Sequence, residues 1–157
     1  MSQKKVTDKC LGCKREEEHI SAKDTVLKTK YFDAHQDFEI PIPGFIIVST
    51  RRHIQSIDEF TKKERKDYIE TIYKIRDALR KALSIKVVYF HQEEDTSHHF
   101  HLWIFPRHDW MNKFGKKIQS VRPIIEYAKQ KMKTEENLNE VKVSLEKMRN
   151  YLSEVKS

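Results

Sequence analysis

The stretch His98-His99-Phe100-His101-Leu102-Trp103-Ile104-Phe105-Pro106-Arg107 gathers the groups best suited to chemistry. Its alternation predicts a strand over 98–105, with Phe100, Leu102 and Ile104 on one face and His99, His101, Trp103 and Phe105 on the other. Pro106 ends it. Two imidazoles at i and i+2 then project the same way, roughly 7 Å apart at about 3.3 Å rise per residue. Such a pair can ligate one metal, form an acid/base couple, or divide the roles, one holding a metal while the other attacks. Trp103 and Phe105 on the same face argue against a plain solvent-facing strand.

The second reactive feature is Cys10-Leu11-Gly12-Cys13, which contains the chain's 2 cysteines. A disulfide here would close a very short loop and stabilise little. The pair reads as a half-site for a metal or as a redox dithiol. A thioredoxin-like dithiol would sit at the end of a strand that opens a helix. Here no strand is predicted before Cys10, which favours metal.

The elements that position these groups are legible from pattern. Residues 1–22 are polar and read as a knuckle around the cysteines. Residues 25–32 have strand character, continued over 38–40. Ile40-Pro41-Ile42-Pro43-Gly44 forces an extended turn, and 45–49 is a buried strand. The span 56–84 is helical: Thr61-Lys62-Lys63-Glu64 fits a capping box, and Tyr68, Ile69, Ile72, Ile75, Leu79, Ala82 and Leu83 form one apolar face. Residues 86–91 form a strand, and Gln92–Ser97 a polar connection with Glu93, Glu94 and Asp95 at its centre. Helices follow over 120–132 and from Thr134. In the latter, Leu138, Val141, Leu145, Met148, Leu152 and Val155 make a seam that serves the chain's own core or a contact between subunits. This order predicts an α+β fold around an antiparallel sheet of roughly five strands.

A chain of 157 residues suits one domain, or one domain with a short appendage. No apolar run approaches the roughly 20 residues of a membrane span, and no apolar segment follows the first lysines. Membrane and secreted classes are therefore excluded, and a cytoplasmic location is expected. With 3 glycines there is no P-loop or glycine-rich dinucleotide fingerprint. The net charge of +7 suits anionic ligands, although interleaving of Lys with acids also reads as a solubilising surface.

His99-Phe100-His101-Leu102-Trp103-Ile104-Phe105 with Pro106-Arg107 resembles the signature of the histidine-triad (HIT) superfamily of nucleotide hydrolases and transferases, His-φ-His-φ-His-φ-φ. Ile42-Pro43-Gly44-Phe45-Ile46-Ile47-Val48 and Arg51-Arg52-His53-Ile54-Gln55-Ser56 resemble its upstream segment, and the cysteine pair its zinc-containing bacterial members. The resemblance covers residues 8–110. It implies a HIT-like domain over 1–111, including the knuckle, with a helical extension over 112–157 that packs on the domain or at a dimer interface. It further implies a homodimer that binds a purine nucleotide or nucleotide conjugate. His101 would attack the α-phosphorus, and a structural Zn²⁺ would be held by Cys10, Cys13, His53 and His99, with His19 competing with His53.

Two departures from the family pattern stand out. Trp103 replaces the third histidine; an indole donates one hydrogen bond but carries no proton to a leaving group. The glycine-containing phosphate loop is replaced by Gln92-Glu93-Glu94-Asp95-Thr96-Ser97-His98. Thr96 and Ser97 can offer hydroxyls and amides to phosphate, and Gln92 and His98 can substitute for the lost triad member. The three acids form a solvated tip or replace a missing group. Asp33 lies near where the family carries a ribose-binding acid. Two other readings follow: a nucleotide-binding module without chemistry, and a processor of nucleic-acid ends whose binding would weaken steeply with salt.

Overall fold

The computed structural model describes residues 10–17, 21–96 and 98–155. Short helices α1 (Leu11–Glu17) and α2 (Ser21–Asp24) lead into strands β1 (Thr25–Lys28), β2 (Phe32–Gln36) and β3 (Ile46–Thr50). The long helix α3 (Lys62–Leu83) follows, then β4 (Val88–His91), β5 (His101–Pro106), α4 (Val121–Lys131) and α5 (Glu135–Glu154). The five strands form one antiparallel sheet in the order β1-β2-β3-β5-β4.

The stretch 25–32 is not one strand, because its centre is a turn. The Thr29 N–H donates to the Phe32 carbonyl (2.9 Å), and the Phe32 N–H donates to Thr29 Oγ1 (3.0 Å). Asp67 on α3 accepts from the Thr29 hydroxyl (2.6 Å) and the Tyr31 amide (3.2 Å), which pins the hairpin to the helix. Residues 38–40 do not continue β2 either: the Asp37 carboxylate accepts from the amides of Glu39 (2.7 Å) and Ile40 (3.1 Å) and turns the chain away. Gly44 then adopts φ +83°, and a Cβ there would lie 3.0 Å from both Leu79 and Leu83, so this turn needs glycine on two counts.

The expected capping box is present. Thr61 Oγ1 accepts from the Glu64 amide (3.2 Å), and the Glu64 carboxylate accepts from the Thr61 amide (3.1 Å). The helix begins there rather than at Ser56, since Phe60 is extended and Ile57–Glu59 makes a single 3₁₀ turn.

One sheet face carries Phe32, Ala34, Ile46, Val48, Leu102 and Ile104 against α3 and α5. At the mouth of β5, Phe60, Tyr68 and Phe100 meet edge to face, with Phe60 and Phe100 centroids 4.8 Å apart. The buried part of the α5 seam, Val141, Leu145 and Met148, lies on the chain's own core side, and Leu145 and Met148 join this cluster. Arg149 on α5 donates to the Thr25 carbonyl (2.8 Å), and Tyr151 to Asp77 (2.6 Å). Toward the Phe105 end, the opposite face is covered by Met111, Val121, Ile124 and Ala128. The rest of that face presents the groups with chemistry.

Candidate metal centre and active site

Cys10, Cys13, His53 and His99 converge, with one ligand atom of each lying within 4.8 Å of all the others. Cys10 Sγ is 3.3 Å from His99 Nδ1; Cys13 Sγ is 3.2 Å from His53 Nδ1 and 3.6 Å from His99 Nδ1. Around a tetrahedral zinc, bonds of about 2.3 Å to sulfur and about 2.05 Å to nitrogen put S and N about 3.5 Å apart. The donor set therefore fits zinc in chemistry and in spacing. His99 Nε2 lies 2.6 Å from the Thr50 carbonyl, which can only accept; Nε2 thus carries the proton and Nδ1 presents its lone pair to the thiols. Burial also pushes the His99 imidazole down, favouring the neutral ligand form.

The backbone explains the convergence. The Phe100 amide donates to the Ile54 carbonyl (2.6 Å), which lays the His99 segment beside the His53 segment. Arg52 donates to both oxygens of buried Glu64 (3.1 and 3.0 Å), anchoring the chain next to His53. Burial pushes the Glu64 carboxyl up, but Arg52 and the Thr61 cap outweigh it and hold it below the usual range. Gly12 lies against the His99 ring: a Cβ there would fall 2.5 Å from His99 Cγ, so the residue just before Cys13 must lack a side chain. His19 lies outside the described residues.

The strand carrying His101 starts at that residue rather than at 98, and His99 belongs to the bend before it. His101 Nδ1 is 3.0 Å from the His99 carbonyl. The carbonyl can only accept, so Nδ1 holds the proton, and the ring is oriented by the residue that joins the metal centre. Nε2 faces away from the strand, with Glu93 Oε1 3.1 Å from it. Glu93 also accepts from the amides of Asp95 (3.0 Å) and Thr96 (2.9 Å) and from the Thr96 hydroxyl. The Thr96 hydroxyl, with Asp95 next, draws the Glu93 carboxyl down to about 2. Of the three acids, Asp95 is exposed and Glu93 turns inward to the imidazole.

The remaining expected site residues separate. Trp103 is half-buried, its ring perpendicular to Phe45 (centroids 5.2 Å) and tilted on His91 (5.6 Å). Gln92 is exposed and, among the described residues, its amide reaches only the Glu93 carbonyl (3.4 Å); His98 is exposed. Ser97 lies outside the described residues. Asp33 shares a cross-strand row with Ser49 and His101, two strands away and so about 10 Å distant. It is 1% exposed; its oxygens accept from Arg15 Nε and from the Thr25 hydroxyl (3.0 Å). Arg15 also pairs with Asp24 through both terminal nitrogens (2.8 and 2.7 Å), so this cluster docks α1 onto the sheet. Two residues outside the expected site matter here: Gly12 and Arg15. The Cys-x-Gly-Cys spacing is a signal for the first, and nothing in the sequence singles out the second; of the three acids weighed as a solvated tip or a replacement for a missing group, Glu93 is the one that faces His101.

His35 sits in the adjoining row, its Nδ1 3.7 Å from Asp33 and without a hydrogen-bond partner among the described residues. Burial, aided by the Arg15 charge, pushes its pKa down to about 4, against the opposing pull of Asp33 and Asp24. Between about pH 4 and 6.5 the unfolded chain binds the proton and the folded one does not, so stability falls as pH falls through this window. From pH 7 to pH 5 the wild type is expected to lose about 2 kcal/mol more than His35→Gln. Urea unfolding of both proteins at the two pH values measures this, and equal losses would exclude it.

The fold and site define a small α+β domain with a knuckle of metal-ligand type and one oriented histidine on the adjoining strand. The HIT domain family model matches residues 19–110, and the chain belongs to that family. The fold is similar to a Hit-like protein involved in cell-cycle regulation from Bartonella henselae (18% identity, 91% of this chain and 96% of that chain, TM-score 0.64). It is similar also to a Zn-bound histidine triad family protein from Mycobacterium smegmatis (15% identity, 95% and 96%, TM-score 0.64). A third relative is the diadenosine triphosphate hydrolase of Plasmodium falciparum (18% identity, 87% and 80%, TM-score 0.55). No curated protein matches the chain. No helix among the described residues is long and apolar enough to cross a membrane.

Proposed function

We propose that this protein is a HIT-type hydrolase or nucleotidyl transferase for a purine nucleotide or nucleotide conjugate, acting at the α-phosphate through His101. The observation that carries the reading is the 3.0 Å bond from His101 Nδ1 to the His99 carbonyl, which leaves Nε2 as the outward ring nitrogen. The Nε2 lone pair attacks the α-phosphorus, and the leaving group departs with the electrons of its P–O bond. Water or an acceptor hydroxyl then attacks phosphorus and loses its proton, and the P–N electrons return to Nε2. Trp103 stands at the third triad position; its indole can donate a hydrogen bond to a phosphate oxygen but relays no proton, so the leaving group takes its proton from solvent. Zinc on Cys10, Cys13, His53 and His99 would supply a structural cross-link with all four positions taken by protein. The diadenosine triphosphate hydrolase and the Zn-bound protein among the fold relatives support this reading.

The test is to mix the protein with dinucleoside polyphosphates and adenylated conjugates, quench in alkali, and map the peptide holding His101 by mass spectrometry. A nucleotidyl adduct on His101 with release of nucleoside monophosphate is expected. Absence of both across the panel overturns the reading. The alternative of a binding module is favoured by one observation, the indole at Trp103; it predicts a raised melting temperature with nucleotide and no adduct.

A homodimer is part of the same proposal. Strand β4 is one of the sheet's two edges, and exposed Phe90 (53%) lies by Ile69 (64%) and Tyr73 (68%) of α3. A second copy pairing β4 to β4 would continue the sheet and cover these side chains. Ile69→Asp combined with Phe90→Lys is expected to halve the mass measured by light scattering. A monomeric wild type, or an unchanged dimer, would contradict it.

A further inference from the structure

The groups placed to receive a phosphate at His101 already hold an anion, supplied by the chain itself. The Glu93 carboxylate takes the amides of Asp95 (3.0 Å) and Thr96 (2.9 Å) on one oxygen. Its other oxygen takes the Thr96 hydroxyl and faces His101 Nε2 at 3.1 Å. Two amides and a hydroxyl around one carboxylate, beside the imidazole nitrogen, form the kind of concavity that binds a phosphoryl group's oxygens. The ring atom proposed above as nucleophile has a carboxylate oxygen where the phosphoryl group must come. A nucleotide phosphate and this carboxylate cannot share the place, because they would overlap and both carry negative charge.

We propose that Glu93 is an internal occupant of the phosphate seat, an autoinhibitory contact that a nucleotide must displace before it reaches His101. The proposal rests on the reading of His101 as the phosphate-facing residue. The geometry around the segment supports displacement as a local movement. Glu93 lies in a connection with no helix or strand among its described residues, its side chain is 25% exposed, and its three donors, two amides and a hydroxyl, come from residues 95 and 96. The Gln55 side chain holds the neighbouring Glu94 carbonyl (2.9 Å), so rotation of the Glu93 side chain leaves that tether intact. Glu93 remains ionised throughout the neutral range, its carboxyl being held down to about 2, first by the Thr96 hydroxyl. The binding cost falls on every phosphate-bearing ligand alike, whatever its base.

The test compares wild type, Glu93→Ala and Glu93→Gln, each with and without His101→Ala, by calorimetric titration with inorganic phosphate and with AMP. Glu93→Ala empties the seat; Glu93→Gln removes the charge while keeping an oxygen for the Asp95 and Thr96 amides, so it controls for collapse of the connection. Glu93→Ala is expected to bind phosphate and AMP roughly tenfold or more tightly than wild type, with Glu93→Gln in between. His101→Ala is expected to erase the gain. If wild type binds AMP and neither Glu93 variant binds it more tightly, the internal occupant is refuted while the reading of the site stands. If Glu93→Ala gains phosphate in a His101-dependent way yet no variant binds AMP, the occupant is real and the nucleotide reading fails. If none of the proteins binds either ligand, both fall.

Discussion

His101→Ala is expected to lower release of nucleoside monophosphate by at least about a thousandfold and to abolish the covalent adduct altogether. The magnitude follows from the role. A residue that forms a bond to phosphorus cannot be replaced by solvent arriving in the same pocket, since the reaction then reverts to direct attack by water. His101→Gln is the sharper control: it retains a polar group of similar reach next to the His99 carbonyl but offers no nucleophilic nitrogen. Both variants are expected to fold, because the ring is partly exposed and the core below β5 is made by Phe100, Leu102 and Ile104. Measured kcat should collapse by far more than nucleotide affinity changes, the signature of a group that acts chiefly in the transition state. Retention of more than a tenth of the wild-type rate by either variant would remove His101 from the chemistry.

The fold was legible where hydrophobic period and capping chemistry agree. Residues Tyr68 to Leu83 repeat at helical spacing behind a Thr61–Glu64 box, and the alternation from Phe100 to Ile104 gives the two faces of β5. The five-stranded antiparallel sheet followed. The hairpin at Thr29 was hidden because its turn depends on Asp67, 38 residues away, and on a threonine hydroxyl rather than on glycine or proline. Residues 38–40 look apolar enough to extend β2, but the carboxylate of Asp37 offers their amides a closer partner than any strand. The cysteine and histidine types at the knuckle were readable, and the family resemblance joined Cys10, Cys13, His53 and His99 in one set, which the structure brings together. Residue types alone do not give that convergence, since a backbone bond from the Phe100 amide to the Ile54 carbonyl creates it. Glu93 was indistinguishable from Glu94 and Asp95 in sequence, because only the turn geometry decides which of three neighbouring acids faces His101. Asp33 entered through the resemblance, near the position of the family's ribose-binding acid, yet its hydrogen bonds go to Arg15 and Thr25, and only the docked position of α1 reveals that.

Cys13→Ser is expected to cost the protein its metal and about 10 °C of melting temperature, and to lower activity as a consequence of losing order at His99. Elemental analysis should find one zinc per chain in wild type and none in the variant. A complete zinc site contributes on the order of 10 kcal/mol to folding in peptides that have no other core. Here the sheet and α3 own a separate core, so loss of metal undocks the knuckle instead of unfolding the domain. A deficit of a few kcal/mol then corresponds to about 10 °C for a chain of this size. Gly12→Ala tests the same centre without touching a ligand. Its Cβ would meet the His99 ring at 2.5–2.7 Å, so the ring or α1 must shift, and zinc affinity is expected to drop by about tenfold or more. The link to chemistry runs through one backbone atom: the His99 carbonyl accepts the His101 Nδ1 proton, so displacing His99 frees the His101 ring to turn. Activity should therefore fall in proportion to zinc lost on titration with a chelator and return when zinc is added back. A metal-free wild type, or a Cys13→Ser protein that melts and turns over like wild type, would show that the four residues hold no ion in solution.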